Sequence, residues 1–145
     1  MLPHDDELTI DELIDRLKDY EVSVRLHAAA CLGAIRKRAR PAIPALIEAL
    51  QDVDAHVRKM AATVLGDMGG AAKAAVPGLI QALQDDNAGV RRRAAVALSD
   101  MGAEAAAAVA PLRHAMQNDP HDGVRRAATL ALQEIEPTLD NRLAA

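Results

Sequence analysis

Hydrophobic residues recur along this chain with a period of 33 or 34 residues. A Val-Arg pair marks each copy, and the four copies begin at Val24, Val57, Val90 and Val124. Apolar or small residues follow each valine at four, eight and eleven positions, which is the spacing of one face of an α-helix. A repeat of this length indicates stacked helical units that bury a shared core.

Each copy contains a second amphipathic stretch, whose apolar residues also advance in steps of three and four. They are Ile43, Leu46, Leu50, then Val76, Leu79, Leu83, then Val109, Leu112, Met116. A proline stands early in each stretch, where a missing N–H does least harm; the three are Pro44, Pro77 and Pro111. Glycines such as Gly33, Gly66, Gly69 and Gly102 mark the end of the first stretch or the turn after it. The pattern predicts helical hairpins, each with a first helix and a second helix.

The two ends of the chain depart from the full unit. Residues 9–18 match only a second helix, opened by a Thr9-x-x-Glu12 capping box, and are predicted to cap the array. Repeats then occupy 19–51, 52–84 and 85–118. A partial fourth repeat and C-terminal cap fill 119–145, with Pro137 predicted to stop the last first helix. We expect one domain over residues 1–145.

Composition agrees with an all-α fold. Half of the 145 residues are apolar, yet Tyr20 is the only aromatic residue, so alanine and leucine must fill the core. Cys31 is the only cysteine, which excludes an internal disulfide. The acidic start lacks the pattern of a signal peptide, and no apolar stretch approaches the length of a membrane span. These features favour a cytoplasmic protein.

The repeat resembles the HEAT-like repeats of phycobilin lyases and many bacterial scaffold proteins. The residues that carry the resemblance are clearest in the second unit: Asp52, Val57, Arg58, Ala61, Ala62, Leu65, Gly66, Ala75, Pro77 and Leu79. The resemblance implies a right-handed α-solenoid of about four stacked antiparallel hairpins. It also implies that second helices line a concave face, that first helices form the convex face, and that the array binds other proteins. Arg36 departs from the pattern, since a glycine follows the first helix in the next two units.

Two charged columns recur in every unit, and we interpret them as structural. An aspartate stands five residues before each valine, and the arginine follows the valine directly. The columns include Asp19, Asp52, Asp85 and Asp119, with Arg25, Arg58, Arg91 and Arg125. We expect the aspartates to cap the first helices or the loops before them, and the arginines to pair with them across units.

No constellation typical of an enzyme emerges from the sequence. The histidines fall in five different repeat columns without metal-ligand spacing; they are His4, His27, His56, His114 and His121. Cys31 occupies a column of small apolar residues, so we interpret it as a buried hydrophobe. We therefore predict no catalytic residue, no metal and no cofactor.

Polar columns on the second helices are the predicted partner-binding surface. One column gives Asp15, Glu48, Gln81 and His114, and its neighbour gives Gln51, Gln84 and Gln117. Small residues between them, such as Ala45 and Gly78, would leave a shallow groove for a helix or an extended segment. The leading hypothesis is a protein-binding scaffold, either a monomer or a weak homodimer.

Two alternatives stay open. Basic residues could form a phosphate-binding ridge on the convex side; they are Arg36, Lys37, Arg38, Arg92, Arg93 and Arg126. The net charge of −4 and the lack of stacking aromatics disfavour nucleic acid. The second alternative, an accessory to a chromophore-bearing protein as in phycobilin lyases, rests on the resemblance alone.

Overall fold

The computed structural model describes the backbone of residues 8–144 and the side chains of residues 8–137. Every regular element in this part of the chain is helical. The α-helices are α1 (Ile10–Arg16), α2 (Val22–Ala34), α3 (Ile43–Ala49), α4 (Ala55–Asp67), α5 (Val76–Ala82), α6 (Ala88–Met101), α7 (Val109–Asn118) and α8 (Asp122–Ala144). Short 3-10 segments, Arg36–Ala42, Gly69–Ala75 and Gly102–Ala108, join each first helix to its second helix. The first helices are α2, α4, α6 and α8, and the second helices are α3, α5 and α7, with α1 in an equivalent place.

A continuous core runs between the units, as the periodicity predicts. The leucines of both stripes are buried, and Leu32, Leu65 and Leu98 of the first helices are fully buried. Each second helix packs against the first helix of the following unit, and the first helices pack on one another in sequence. The chain is thus an α-solenoid of about four units.

The two layers of helices differ in spacing. A Cβ added to Gly66 of α4 would lie 2.8 Å from the Cα of Ala97 in α6, so the backbones of these first helices meet directly. At Gly78 of α5, the nearest atom is instead Leu50 Cδ1 at 3.1 Å, so side chains separate the second helices. Backbone contacts between neighbouring second helices are correspondingly few.

In a curved stack the layer with the closer helices lies on the inside. The first helices therefore form the inner side of this solenoid, and the second helices form the outer side. This closer packing of the first helices disagrees with the prediction that second helices line the concave face. The apolar stripes define which face of each helix is buried. The close approach at Gly66 defines which layer has the smaller spacing between neighbouring helices.

The N-terminal end forms as the sequence predicts. The Thr9 hydroxyl accepts a hydrogen bond from the Glu12 N–H (3.2 Å), and the Glu12 carboxylate accepts one from the Thr9 N–H (2.8 Å). This capping box opens α1, which packs against α2 and the 3-10 segment that follows it. His4 lies outside the described residues.

The prediction that Pro137 stops the last first helix is wrong, because α8 continues through it to Ala144. A proline removes only its own N–H from the helical ladder, at a cost of about 3 kcal/mol. Residues 138–144 contain no glycine or further proline. α8 as a whole packs along α7 and the last 3-10 segment.

Residues 88–118 include a stretch long and apolar enough to meet a simple criterion for a membrane span, with a mean hydropathy of 1.2. This stretch combines α6, a 3-10 segment and α7, and the backbone turns at Gly102, where φ is +56°. Its apolar side chains, such as Leu98 and Leu112, are buried in the solenoid core. The hydropathy is therefore that of two core helices.

Candidate partner-binding surfaces

Three arginines bridge consecutive units through the carboxylate of the next loop. In each bridge the Nε atom donates to an aspartate Oδ2 over 2.8 Å, and Nη2 donates to Oδ1. The pairs are Arg25–Asp52, Arg58–Asp85 and Arg91–Asp119. All six side chains are largely shielded from solvent. We call this series the Asp-Arg ladder.

The ladder also organises the loops between units. Each aspartate accepts a hydrogen bond from the backbone N–H two residues later, and Arg58 Nη1 donates to the carbonyls of Asp52 and Val53. The first helices are capped by other residues, Asp54 for α4 and Asn87 for α6.

Burial raises the pKa of Asp119, but hydrogen bonds from Arg91 and the His121 N–H outweigh it and lower the pKa overall. The repeated aspartates and arginines thus join the units. Because they are paired and shielded in the ladder, they offer little charge to a binding partner.

The polar columns of the second helices are exposed on the outer side. Gln51 Nε2 donates to Gln81 Oε1 at 3.4 Å, and Glu48 forms a salt bridge with Lys18 at 3.7 Å, so part of the polar surface of the second helices is paired within the chain. A groove of about 390 Å³ between α1 and α3 includes Glu48 and Gln51. A wider one of about 710 Å³ between α5 and α7 includes Gln84 and His114. Asp15 and Gln117 are exposed outside both grooves.

The predicted basic ridge is not continuous. Arg36, Lys37 and Arg38 lie in a 3-10 segment beyond the C-terminal end of α2, whereas Arg92 and Arg93 lie in the first turns of α6. The two sets stand nine to twelve residues apart in the repeat, which corresponds to roughly 15 Å along a helix axis. Arg92, Arg93 and Arg126 also face the inner side, so the prediction of a single convex ridge is wrong.

The sequence reasoning missed a groove on the inner side between α6 and α8, which we call the inner groove. Its volume is about 640 Å³, and its lining includes Arg92, Val96, Ser99, Arg126, Ala127 and Leu130. Val96 and Leu130 occupy the same repeat column and are 37% and 61% exposed. The sequence did contain a signal for this groove, because two consecutive units place an apolar residue in a repeat column outside the buried stripe.

Two substitutions within the repeat open this groove. Arg93 lies between α4 and α6 and lines two small cavities there, whereas its equivalent in α8 is Ala127. Ser99 of α6 occupies the repeat position of Gly66 in α4. At this position the backbone of α4 contacts α6 directly, whereas α6 places a serine side chain toward α8. The space that Arg93 occupies in the preceding interface is therefore vacant beside α8.

Other candidate chemistry is sparse in the described residues. No group of three or more His, Cys, Asp or Glu side chains within them could hold a metal ion. Cys31 is half-buried, and its Sγ lies 3.4 Å from His27 Nε2. A contact of this kind along one helix is compatible with ordinary packing.

Fold and surfaces together define a helical-repeat solenoid, the architecture of scaffolds for macromolecular interaction. The sequence profile of HEAT repeats matches residues 10–76 and 71–133, so the chain belongs to the HEAT-repeat family. A search of curated proteins found no match.

Solved structures give the same fold. The chain is 31% identical to one in the complex of CpcE and CpcF of phycocyanin lyase from Nostoc sp. PCC7120, with a TM-score of 0.72 over 89% of this chain and 54% of that one. An engineered protein from a structural genomics consortium is 23% identical, with a TM-score of 0.73 over 89% of this chain and 63% of that chain. A designed armadillo repeat protein in complex with the peptide (KR)4 is 19% identical, with a TM-score of 0.74 over 87% and 64%. The chain therefore spans between about half and two thirds of the length of these structures.

Proposed function

We propose that this protein is a non-catalytic scaffold that binds a partner protein on the inner side of its first helices. One observation carries the proposal: Val96 and Leu130 expose apolar side chains beside an unfilled groove of about 640 Å³. Burying such surface is the main favourable term in protein association. Membership of the HEAT-repeat family, whose fold suits an interaction scaffold, supports the proposal.

The inner side is a better candidate than the outer side because of where apolar surface is exposed. The described second helices expose none of their large hydrophobic side chains. The remaining exposed ones, Tyr20, Val22 and Val53, lie in the loops or at the start of α2. Among the described residues, only the inner groove is lined by exposed large apolar side chains from two neighbouring helices, because Val53, which borders the groove between α1 and α3, lies in a loop.

The test compares three versions of the purified protein as baits in a lysate of the source cells. The inner variant is Val96→Glu with Leu130→Glu, and the matched outer variant is Glu48→Arg with Gln81→Arg. We expect the wild type and the outer variant to retain the same protein, and the inner variant to lose it. Loss with the outer variant alone would move the binding site to the second helices. Capture of no protein by the wild type would contradict the scaffold proposal.

The likeness to a phycocyanin lyase chain favours a second candidate, an accessory subunit for a chromophore-bearing protein. It rests on 31% identity over 89% of this chain. The test is to mix the purified protein with phycocyanin subunits and measure complex formation by size-exclusion chromatography. Absence of a complex would remove this candidate without affecting the more general proposal.

A further inference from the structure

The inner groove combines apolar and basic groups in a way that defines the chemistry of its occupant. Val96, Ala127 and Leu130 supply apolar surface, while Arg92 and Arg126 stand at its edge. The Cδ of Arg92 would lie 3.8 Å from a Cβ on Gly123, so the Arg92 side chain crosses from α6 to the start of α8. A ligand in the groove would therefore meet guanidinium groups from both helices.

These guanidinium groups are only partly neutralised. Arg92 forms no ion pair with any carboxylate in residues 8–137. Arg126 pairs with Asp122 at 3.1 Å, but its side chain is 75% exposed and free to turn toward a ligand. The groove is thus locally basic within a chain whose net charge is −4.

The inferred chemistry rests on the proposed function and narrows it. We infer that the inner groove binds an acidic segment of a partner protein, with an apolar side chain against Leu130 and Val96 and carboxylates on Arg92 and Arg126. Guanidinium groups bind carboxylates through paired N–H donors, which gives both orientation and affinity. The exposed leucine and valine favour a peptide over a nucleic-acid backbone, because a sugar-phosphate chain offers no aliphatic side chain for them.

The experiment selects ligands without assuming a partner. Random short peptides displayed on phage are selected on the immobilised full chain, and enriched peptides are remade with a fluorophore for binding by fluorescence anisotropy. We expect enriched sequences in which aspartate or glutamate flanks leucine, isoleucine or phenylalanine. Affinity should fall as salt is added, because the carboxylate contacts are solvent-accessible.

Variants locate the binding site. Arg92→Glu with Arg126→Glu should weaken the enriched peptides by about tenfold or more, because like charges then meet across the interface. The matched control, Lys37→Glu with Lys73→Glu, makes the same change in net charge on exposed 3-10 segments and should leave affinity unchanged. Circular dichroism and thermal midpoints check that both variants fold.

Three results would overturn the inference. They are enrichment of basic or uncharged peptides, equal loss of affinity in the control variant, and tighter binding of a fluorescent single-stranded DNA that the groove variant abolishes. If the lysate experiment still retains a partner in any of these cases, the scaffold proposal survives and only the acidic chemistry fails. If the peptides bind as expected but no lysate protein is retained, the groove is assigned and the scaffold role fails.

Discussion

The guanidinium of Arg58 forms a bidentate ion pair with the carboxylate of Asp85 in the next unit. Nε donates to Oδ2 over 2.8 Å, and Nη2 donates to Oδ1 over 3.0 Å. Asp85 in turn accepts the N–H of Asn87 and so shapes the loop that begins the next first helix. The hydrogen bond to Asp85 outweighs the effect of burial and raises the pKa of Arg58. One side chain therefore couples the position of a helix to the shape of the following loop.

Replacement of Arg58 by alanine should destabilise the fold by about 2–4 kcal/mol, because it leaves the shielded Asp85 carboxylate without its partner. Chemical denaturation followed by circular dichroism measures the change. Arg113→Ala is the control, since Arg113 and Glu136 form a half-exposed pair worth about 1 kcal/mol or less. Equal losses in the two variants would show that the ladder does not hold the units together.

Gly66→Ala tests the close approach of the first helices. In an isolated helix this change stabilises by about 1 kcal/mol. Here the new Cβ would lie 2.8 Å from the backbone of Ala97, so we expect a net loss of about 1–3 kcal/mol in unfolding free energy. Gly70→Ala is the control, because its Cβ would meet only the flexible Glu104 side chain at 3.4 Å. A stabilised Gly66 variant would contradict the assignment of the first helices to the inner side.

Arg36→Gly should stabilise the protein, since Arg36 has a φ of +52° where the next units place Gly69 and Gly102. The left-handed conformation costs a non-glycine residue about 1–2 kcal/mol, and the greater freedom of glycine in the unfolded chain offsets part of that. We expect a net gain of about 0.5–1 kcal/mol, measured as a rise in the thermal midpoint.

The reverse change, Gly102→Ala, should destabilise by a similar amount. Its Cβ would contact nothing within 4 Å, so only backbone strain acts there. A lower thermal midpoint for Arg36→Gly would indicate that the arginine side chain contributes more stability than its backbone conformation costs.

The periodic features of this protein could be predicted from its sequence, and the features that break the period could not. The register of the helices and the identity of the ladder columns follow from residues repeated in every unit, such as Val57 and Arg58. The inner and outer sides depend on how closely backbones approach at Gly66, which an apolar stripe does not encode. The inner groove depends on Ala127, which occupies in α8 the repeat position that Arg93 occupies in α6. The sequence shows this substitution but does not show which side of the helix the position faces.

Asp100 provides a test by pH on the inner side of α6. Burial is the main cause of its raised pKa, and the nearby charge of Asp67 on α4 adds to it. The folded chain therefore holds this proton more tightly than the unfolded chain does, so ionisation of Asp100 opposes folding. Stability linked to Asp100 is fully present below its ordinary pKa of about 3.8 and is lost as the pH rises through the raised value.

Asp100→Asn should accordingly raise the thermal midpoint at pH 7, because the amide is neutral at every pH while it keeps the shape of the carboxyl group. The difference between variant and wild type should shrink as the pH falls toward the ordinary aspartate pKa, where the wild-type carboxyl is also neutral. Thermal melts across a pH series measure both effects, with Asp86→Asn in an exposed loop as the control. A gain at pH 7 that persists unchanged in acid would arise from a cause other than the charge of Asp100. No gain at pH 7 would show that the carboxylate is adequately solvated between α4 and α6.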